Sequence, residues 1–101
     1  MNTPTQPDAV SALDALRTRI DEIDRRLVDL LNERARASLE IGVLKSEDDG
    51  RVYVPEREVI VYSNILSANG GPLPDSSLKS IYDRIIAESR DLQHARTSGE
   101  R

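Results

Sequence analysis

From Leu13 to Lys45 the chain contains no proline, and its one glycine, Gly42, comes late. Leu13, Leu16, Ile20, Ile23, Leu27 and Leu30 recur at alternating steps of three and four. That spacing is the stripe of an amphipathic helix, or the a/d seam of a coiled coil. At the α-helical rise the segment makes a rod of ~50 Å. A compact domain of this length has a radius of gyration of only ~13 Å. The rod is therefore too long for its own chain to cover, and the sequence predicts that it packs against a second copy.

The seam changes character halfway along. The next a-type position after Leu30 is Arg34, followed by Ala37 at d, and the apolar run resumes at Ile41 and Leu44. A guanidinium taken out of water without a partner is very costly. Arg34 therefore either snorkels or pairs with a nearby carboxylate such as Glu33, or it faces a pocket that takes an anion. Lys45 lies eleven residues further on, within about 20° of the same helical face and ~16 Å along the axis. Ser38 lies between them. Arg17 precedes Arg34 by ~25 Å of rod, too far to share a small ligand within one chain. Two long helices packed antiparallel would bring Arg17 of one copy toward Arg34 of the other.

Composition narrows the chemistry. The chain has 101 residues, 38% hydrophobic and 32% charged, with three Tyr, no Trp and no Phe. Its core must come from Leu, Ile and Val, which is thin for a monomer of this size and favours oligomerisation. There is no cysteine, and His94 stands alone, so no disulfide, thiolate site or His-rich metal site is expected. No Gly-rich phosphate loop and no Ser/His/Asp set is visible. A net charge of −4 argues against a nucleic-acid partner. No apolar run approaches the ~20 residues of a membrane span. The start, MNTPTQPDAV, lacks the basic and apolar regions of a signal peptide, so the expected location is cytoplasmic.

In chain order, residues 1–11 read as a disordered arm, with Ser11 and Asp14 as a short capping box for the first helix. The acids and glycine of 46–52 read as a mobile polar loop. Pro55 suits the first turn of a second helix, and Glu56 and Glu58 suit its positive end. That helix stops near Asn69-Gly70-Gly71-Pro72, a strong turn signal. Asp75 or Ser76 caps a third helix, with Leu78, Ile81, Tyr82, Ile85, Ile86 and Leu92 as its stripe. Ser89 lies on that stripe and Gln93 one turn beyond, which reads either as an inward polar pair or as a fraying end. The functional domain is expected over 12–95, with a polar tail at 96–101. The fold class is all-α: three helices, one very long.

The polar residues near these seams are Arg17, Arg34, Lys45, Arg57, Glu58, Ser89 and Gln93. Arg57 and Glu58 also fit an ordinary helix-start charge pattern. The set lacks a good nucleophile, a His base and a metal site. It suits a reaction that needs placement and charge stabilisation rather than proton transfer.

The joint spacing of Leu16-Arg17, Ile23-Asp24-x-x-Leu27, Asn32-Glu33-Arg34, Ile41-Gly42-x-x-Lys45, Pro55-Glu56-Arg57-Glu58 and Ile85-Ile86-x-x-Ser89-x-x-x-Gln93 resembles the all-helical AroQ class of chorismate mutases. The resemblance spans about Leu13 to Gln93. It implies a cofactor-free, intertwined helical homodimer that rearranges chorismate to prephenate, with two sites and Arg17 donated across the interface. By the same resemblance Arg34 and the partner's Arg17 hold the two substrate carboxylates. Lys45 and Gln93 donate to the ether oxygen, and Glu58 accepts from the ring hydroxyl. Ser89 helps seat a carboxylate, and Arg57 supports the site electrostatically. Many relatives carry Asp where Val54 stands. Val54 offers only backbone groups to the substrate, a departure that bears on affinity more than on reaction type.

Two other readings remain open from the sequence. Isochorismate pyruvate lyase shares this fold and an anion pocket, although Glu58 and the Ser89/Gln93 pair lean toward the mutase. A regulatory or dimerisation module is the other, since mutase-like domains are also found fused to other aromatic-pathway enzymes. That habit leaves room for association with such an enzyme.

Overall fold

The computed structural model describes residues 5–46 and 54–97. Among these residues there are three helices and no strand: α1 over Thr5–Ser46, α2 over Pro55–Ala68 and α3 over Asp75–Thr97. The all-helical class expected from the 3.6-residue periodicity is what forms. None of the described helices is long and apolar enough to cross a membrane. The polar segment expected at 46–52 lies outside the described residues, except for Ser46 at the end of α1.

α1 begins earlier than the Ser11 box predicts. It includes Pro7 in its first turn, where a missing N–H costs nothing because the first N–H groups of a helix have no intrahelical partner. Ser11 is thus an interior residue and not the cap. At the other end of the chain α3 runs to Thr97, past the expected limit at residue 95.

The chain divides into two compact units, residues 1–34 and 35–101. In the first, the predicted seam is intact but bare. Leu13, Leu16, Ile20, Ile23, Leu27 and Leu30 are between 41 and 58% exposed in the single chain.

The second unit contains the rest of α1 together with α2 and α3. On its part of α1 the residues covered within the single chain are small ones. Ser38 is 5% exposed and Gly42 is buried, while Ile41 and Leu44 are 42 and 65% exposed. Ile41 and Leu44 continue the exposed stripe, the face expected to pack against a second copy. A mid-helix glycine costs roughly 0.5–1 kcal/mol relative to alanine, a cost that close approach at a buried position can offset.

α2 and α3 form an antiparallel helical hairpin. The half-buried positions of α2 are Glu58, Val61, Tyr62, Ile65 and Leu66, the i, i+3, i+4, i+7, i+8 face of a helix. They match Leu78, Tyr82, Ile85, Ile86 and Ser89 on α3, where Ile86 is 7% exposed. Asn69 builds the turn. Its Nδ2 donates to the Leu73 carbonyl at 2.9 Å and to Asp75 Oδ1 at 2.7 Å, and its Oδ1 accepts from the Gly71 N–H at 3.0 Å. Gly71 has φ +80°, a region that glycine enters without the steric cost of a Cβ. Asp75 is therefore committed to the turn. The α3 cap is the Pro74 carbonyl, which accepts from the Leu78 N–H at 3.0 Å.

Two contacts mark the hairpin register. The Tyr62 hydroxyl donates to the Asp83 carboxylate, and Arg90 pairs with Glu58. Lys79 Nζ lies 3.2 Å from Asp83 Oδ1 and 4.8 Å from the centre of the Tyr62 ring. The hydrogen bond to Asp83 pushes the Tyr62 phenol up from 10.0 to about 12. The same bond, reinforced by Lys79, holds Asp83 below the usual carboxylate range.

Candidate active site

The start of α2 carries three of the predicted residues. Val54 is extended (φ −124°, ψ 94°) and caps the helix without a side-chain bond. Its carbonyl accepts from the Arg57 N–H at 3.0 Å and the Glu58 N–H at 3.2 Å. Of the two backbone groups Val54 could offer a ligand, the carbonyl is thus already engaged. Pro55 follows at the first helical position, where its fixed φ suits the helix. Glu56 and Glu58 sit in the first turn, at the positive end of the helix dipole. Arg57 is exposed, whereas Glu58 turns inward and is half-buried.

α3 faces this start with its C-terminal half. Tyr62 meets Asp83 and Glu58 meets Arg90, so a step toward the N-terminus of α2 matches a step toward the C-terminus of α3. Ser89 and Gln93 are both half-buried. They are inward polar groups, not a fraying end, because α3 continues past both.

Arg90 is the residue that sequence reasoning missed. Its guanidinium Nη2 lies 2.6 Å from Glu58 Oε2, with the two side chains 41 and 22% exposed. Charge-assisted bonds of this length are roughly twice as strong as neutral ones. The signal was present in the chain: Arg90 stands four residues after Ile86, at the next position of the α3 stripe, as Arg34 stands four after Leu30. Glu58, expected as an acceptor for a ligand hydroxyl, already has one oxygen engaged by a protein cation. Its other oxygen is available for a second bond, since a carboxylate has about four lone-pair sites.

On α1, Arg34 and Lys45 are half-buried, and Ser38 between them is buried. Neither cation lies in bulk water, as a wholly solvated pair would. Arg17 is exposed on the first unit. The second unit therefore assembles Glu58, Ser89 and Gln93 at one end of the hairpin, with Lys45 on its own segment of α1.

Among the described residues, this all-helical chain carries half-buried cations, an amide, a hydroxyl and a carboxylate. The chain belongs to the chorismate mutase type II family, whose model matches residues 16–94. It is 34% identical to a chorismate mutase (form II) of Thermus thermophilus, with a TM-score of 0.78 over 81% of this chain and 93% of that one. It is 46% identical over 72 residues to a bifunctional chorismate mutase/prephenate dehydratase of Neisseria gonorrhoeae. That match takes in 71% of this chain but spans only 19% of the relative's length. A 4-amino-4-deoxychorismate mutase of Streptomyces pristinaespiralis is 34% identical over 87 residues, 84% of this chain and 67% of that protein.

Proposed function

We propose that this chain is a chorismate mutase that converts chorismate to prephenate by a Claisen rearrangement, feeding phenylalanine and tyrosine synthesis. The single observation that carries the reading is the family match over residues 16–94, which contains all eight candidate residues from Arg17 to Gln93. The reaction breaks an ether C–O bond as a C–C bond forms within one molecule. It needs a compact conformer and compensation of negative charge on the ether oxygen, not a nucleophile. In this reading Arg34 and the partner's Arg17 hold the two carboxylates, and Lys45 and Gln93 donate to the ether oxygen. Glu58 accepts from the ring hydroxyl with the oxygen that Arg90 leaves open. Ser89 helps seat a carboxylate, and Arg57 adds positive potential near the site.

The same reading includes a homodimer. The bare seam of α1, Leu13 to Leu30, supports it: six large apolar side chains at heptad spacing are what a second copy of the same helix would cover. Each such side chain contributes ~1.5–3 kcal/mol when fully buried, and a two-fold axis counts every contact twice. Association with another aromatic-pathway enzyme and a cytoplasmic location belong to the same proposal. The relative from Neisseria, in which a mutase and a dehydratase share one chain, supports the former.

The test is a chorismate-consumption assay on purified protein with the product identified. Prephenate is expected. Salicylate and pyruvate from isochorismate, or no turnover and no thermal stabilisation by chorismate, would refute the assignment.

A further inference from the structure

We infer that Arg90 is a positioning and specificity residue: by pairing with Glu58 it makes the site favour a neutral hydroxyl over an ammonium at the ring substituent that Glu58 binds. The inference rests on the role proposed above for Glu58, and its test separates the two.

Three observations carry it. Arg90 Nη2 is 2.6 Å from Glu58 Oε2, and the pair bridges α2 and α3 at the end of the hairpin that also holds Ser89 and Gln93. Glu58 is the more sheltered partner, so its charge is felt by whatever sits beside it more strongly than a surface charge would be. A relative of the same family is a 4-amino-4-deoxychorismate mutase, a name that puts an amino group where chorismate has its 4-hydroxyl. An aliphatic amine is an ammonium near neutral pH. A carboxylate without a cationic neighbour would hold that ammonium more tightly than a hydroxyl. A guanidinium already on the carboxylate removes this advantage and repels the second cation at close range. It also fixes the rotamer of Glu58, so that the remaining oxygen is presented in one direction. Specificity of this kind is a difference of affinities, and Arg90 supplies its repulsive part.

The experiment compares kcat/KM for chorismate and for 4-amino-4-deoxychorismate in the wild-type chain, Arg90→Gln, Arg90→Met and Arg90→Lys. For Arg90→Gln we expect the chorismate-to-amine preference to fall about tenfold, the worth of one lost charge-assisted contact. The loss should come mainly from a raised KM for chorismate, because Glu58 binds substrate and transition state alike. Arg90→Met drops the charge while keeping much of the apolar stem, and gives the same ratio if the glutamine variant is too unstable to assay. Arg90→Lys restores charge without the fork and should keep the preference within about threefold of wild type. In a Glu58→Gln background, Arg90→Gln should change the ratio much less than in the wild-type chain, because only the direct repulsion between guanidinium and ammonium is left to lose. A purely structural role predicts equal losses on both substrates. Equal losses in a folded Gln or Met variant, or a change in the Glu58→Gln background as large as that in the wild-type chain, would overturn the inference while leaving the mutase assignment standing. A wild-type chain that converts neither compound overturns both.

Discussion

The first unit of the chain and the α2–α3 hairpin differ in how much of their apolar surface they cover. The hairpin covers part of its own: Ile86 is 7% exposed and the half-buried faces of α2 and α3 meet in a register marked by Tyr62–Asp83 and Glu58–Arg90, while Val59, Ile60 and Ile81 stay 67, 49 and 48% exposed. Residues 10–33 of α1 have every side chain exposed, including six heptad leucines and isoleucines. A stripe of that size left in water is expensive. The contrast separates a segment whose partner is local in sequence from one whose partner, in the dimer we propose, is another molecule.

The largest effect should come from attacking the bare seam. Leu27→Asp would put two carboxylates into the proposed dimer contact, where burial of an unpaired charge is prohibitive. We expect monomers at micromolar concentration by light scattering, partial loss of helicity, and activity down at least about a hundredfold because each site loses the partner's Arg17. A variant that stays dimeric and active would erase the contrast, as would a wild-type chain that is monomeric at high concentration.

Lys45→Ala comes next. It should lower kcat by ~10²–10³ with the fold intact, the range seen when one donor to developing negative charge is removed. Near-normal turnover would remove Lys45 from the mechanism. Mixing it with Arg17→Ala sharpens the comparison further. If the two units contribute to one site across a two-fold axis, randomly mixed dimers regain about a quarter of wild-type activity, because half are heterodimers and each of those has one intact site. No recovery after subunit exchange would mean that Arg17 does not act in trans.

Gln93→Glu probes the hairpin end alone. A neutral amide donates at any ordinary pH, whereas a carboxyl group donates only when protonated. The variant should be more active at pH 5 than at pH 8, with the wild type showing no such acid-side dependence through this residue. An unchanged profile would exclude Gln93 as the donor.

Tyr62→Phe should have the smallest effect, confined to stability. The phenol is raised from 10.0 to about 12 in the folded chain, so its contribution is present below pH 10 and is lost as pH rises toward 12. Asp83 is shifted the other way. Its contribution is present above its unfolded pKa and fades as pH falls through the lowered folded one. Tyr62→Phe should therefore lower Tm slightly at pH 7 and flatten the fall of Tm between pH 10 and 12. An unchanged alkaline slope would show that the hydroxyl contributes nothing to the hairpin.

The helical period of α1, the Pro55 start of α2 and the Asn69–Pro72 turn were all legible in the chain, because each is a rule about neighbours within one or two turns. So was the family, since its residues are strung at spacings that survive without knowledge of packing. What the chain could not reveal involved competition between remote groups. Ser11 looks like a cap only if nothing helical precedes it. Asp75 looks like a cap until the side chain of Asn69 claims it.

The sequence by itself determined three helices, the family and the identity of the polar groups on their seams, because periodicity and capping act over short stretches of backbone. Only the tertiary structure decided that Glu58 belongs to Arg90, thirty-two residues away. That pairing depends on the register of two antiparallel helices. The register is set by the bonds of the Asn69 turn and the fit of two half-buried faces, neither of which is written at either residue.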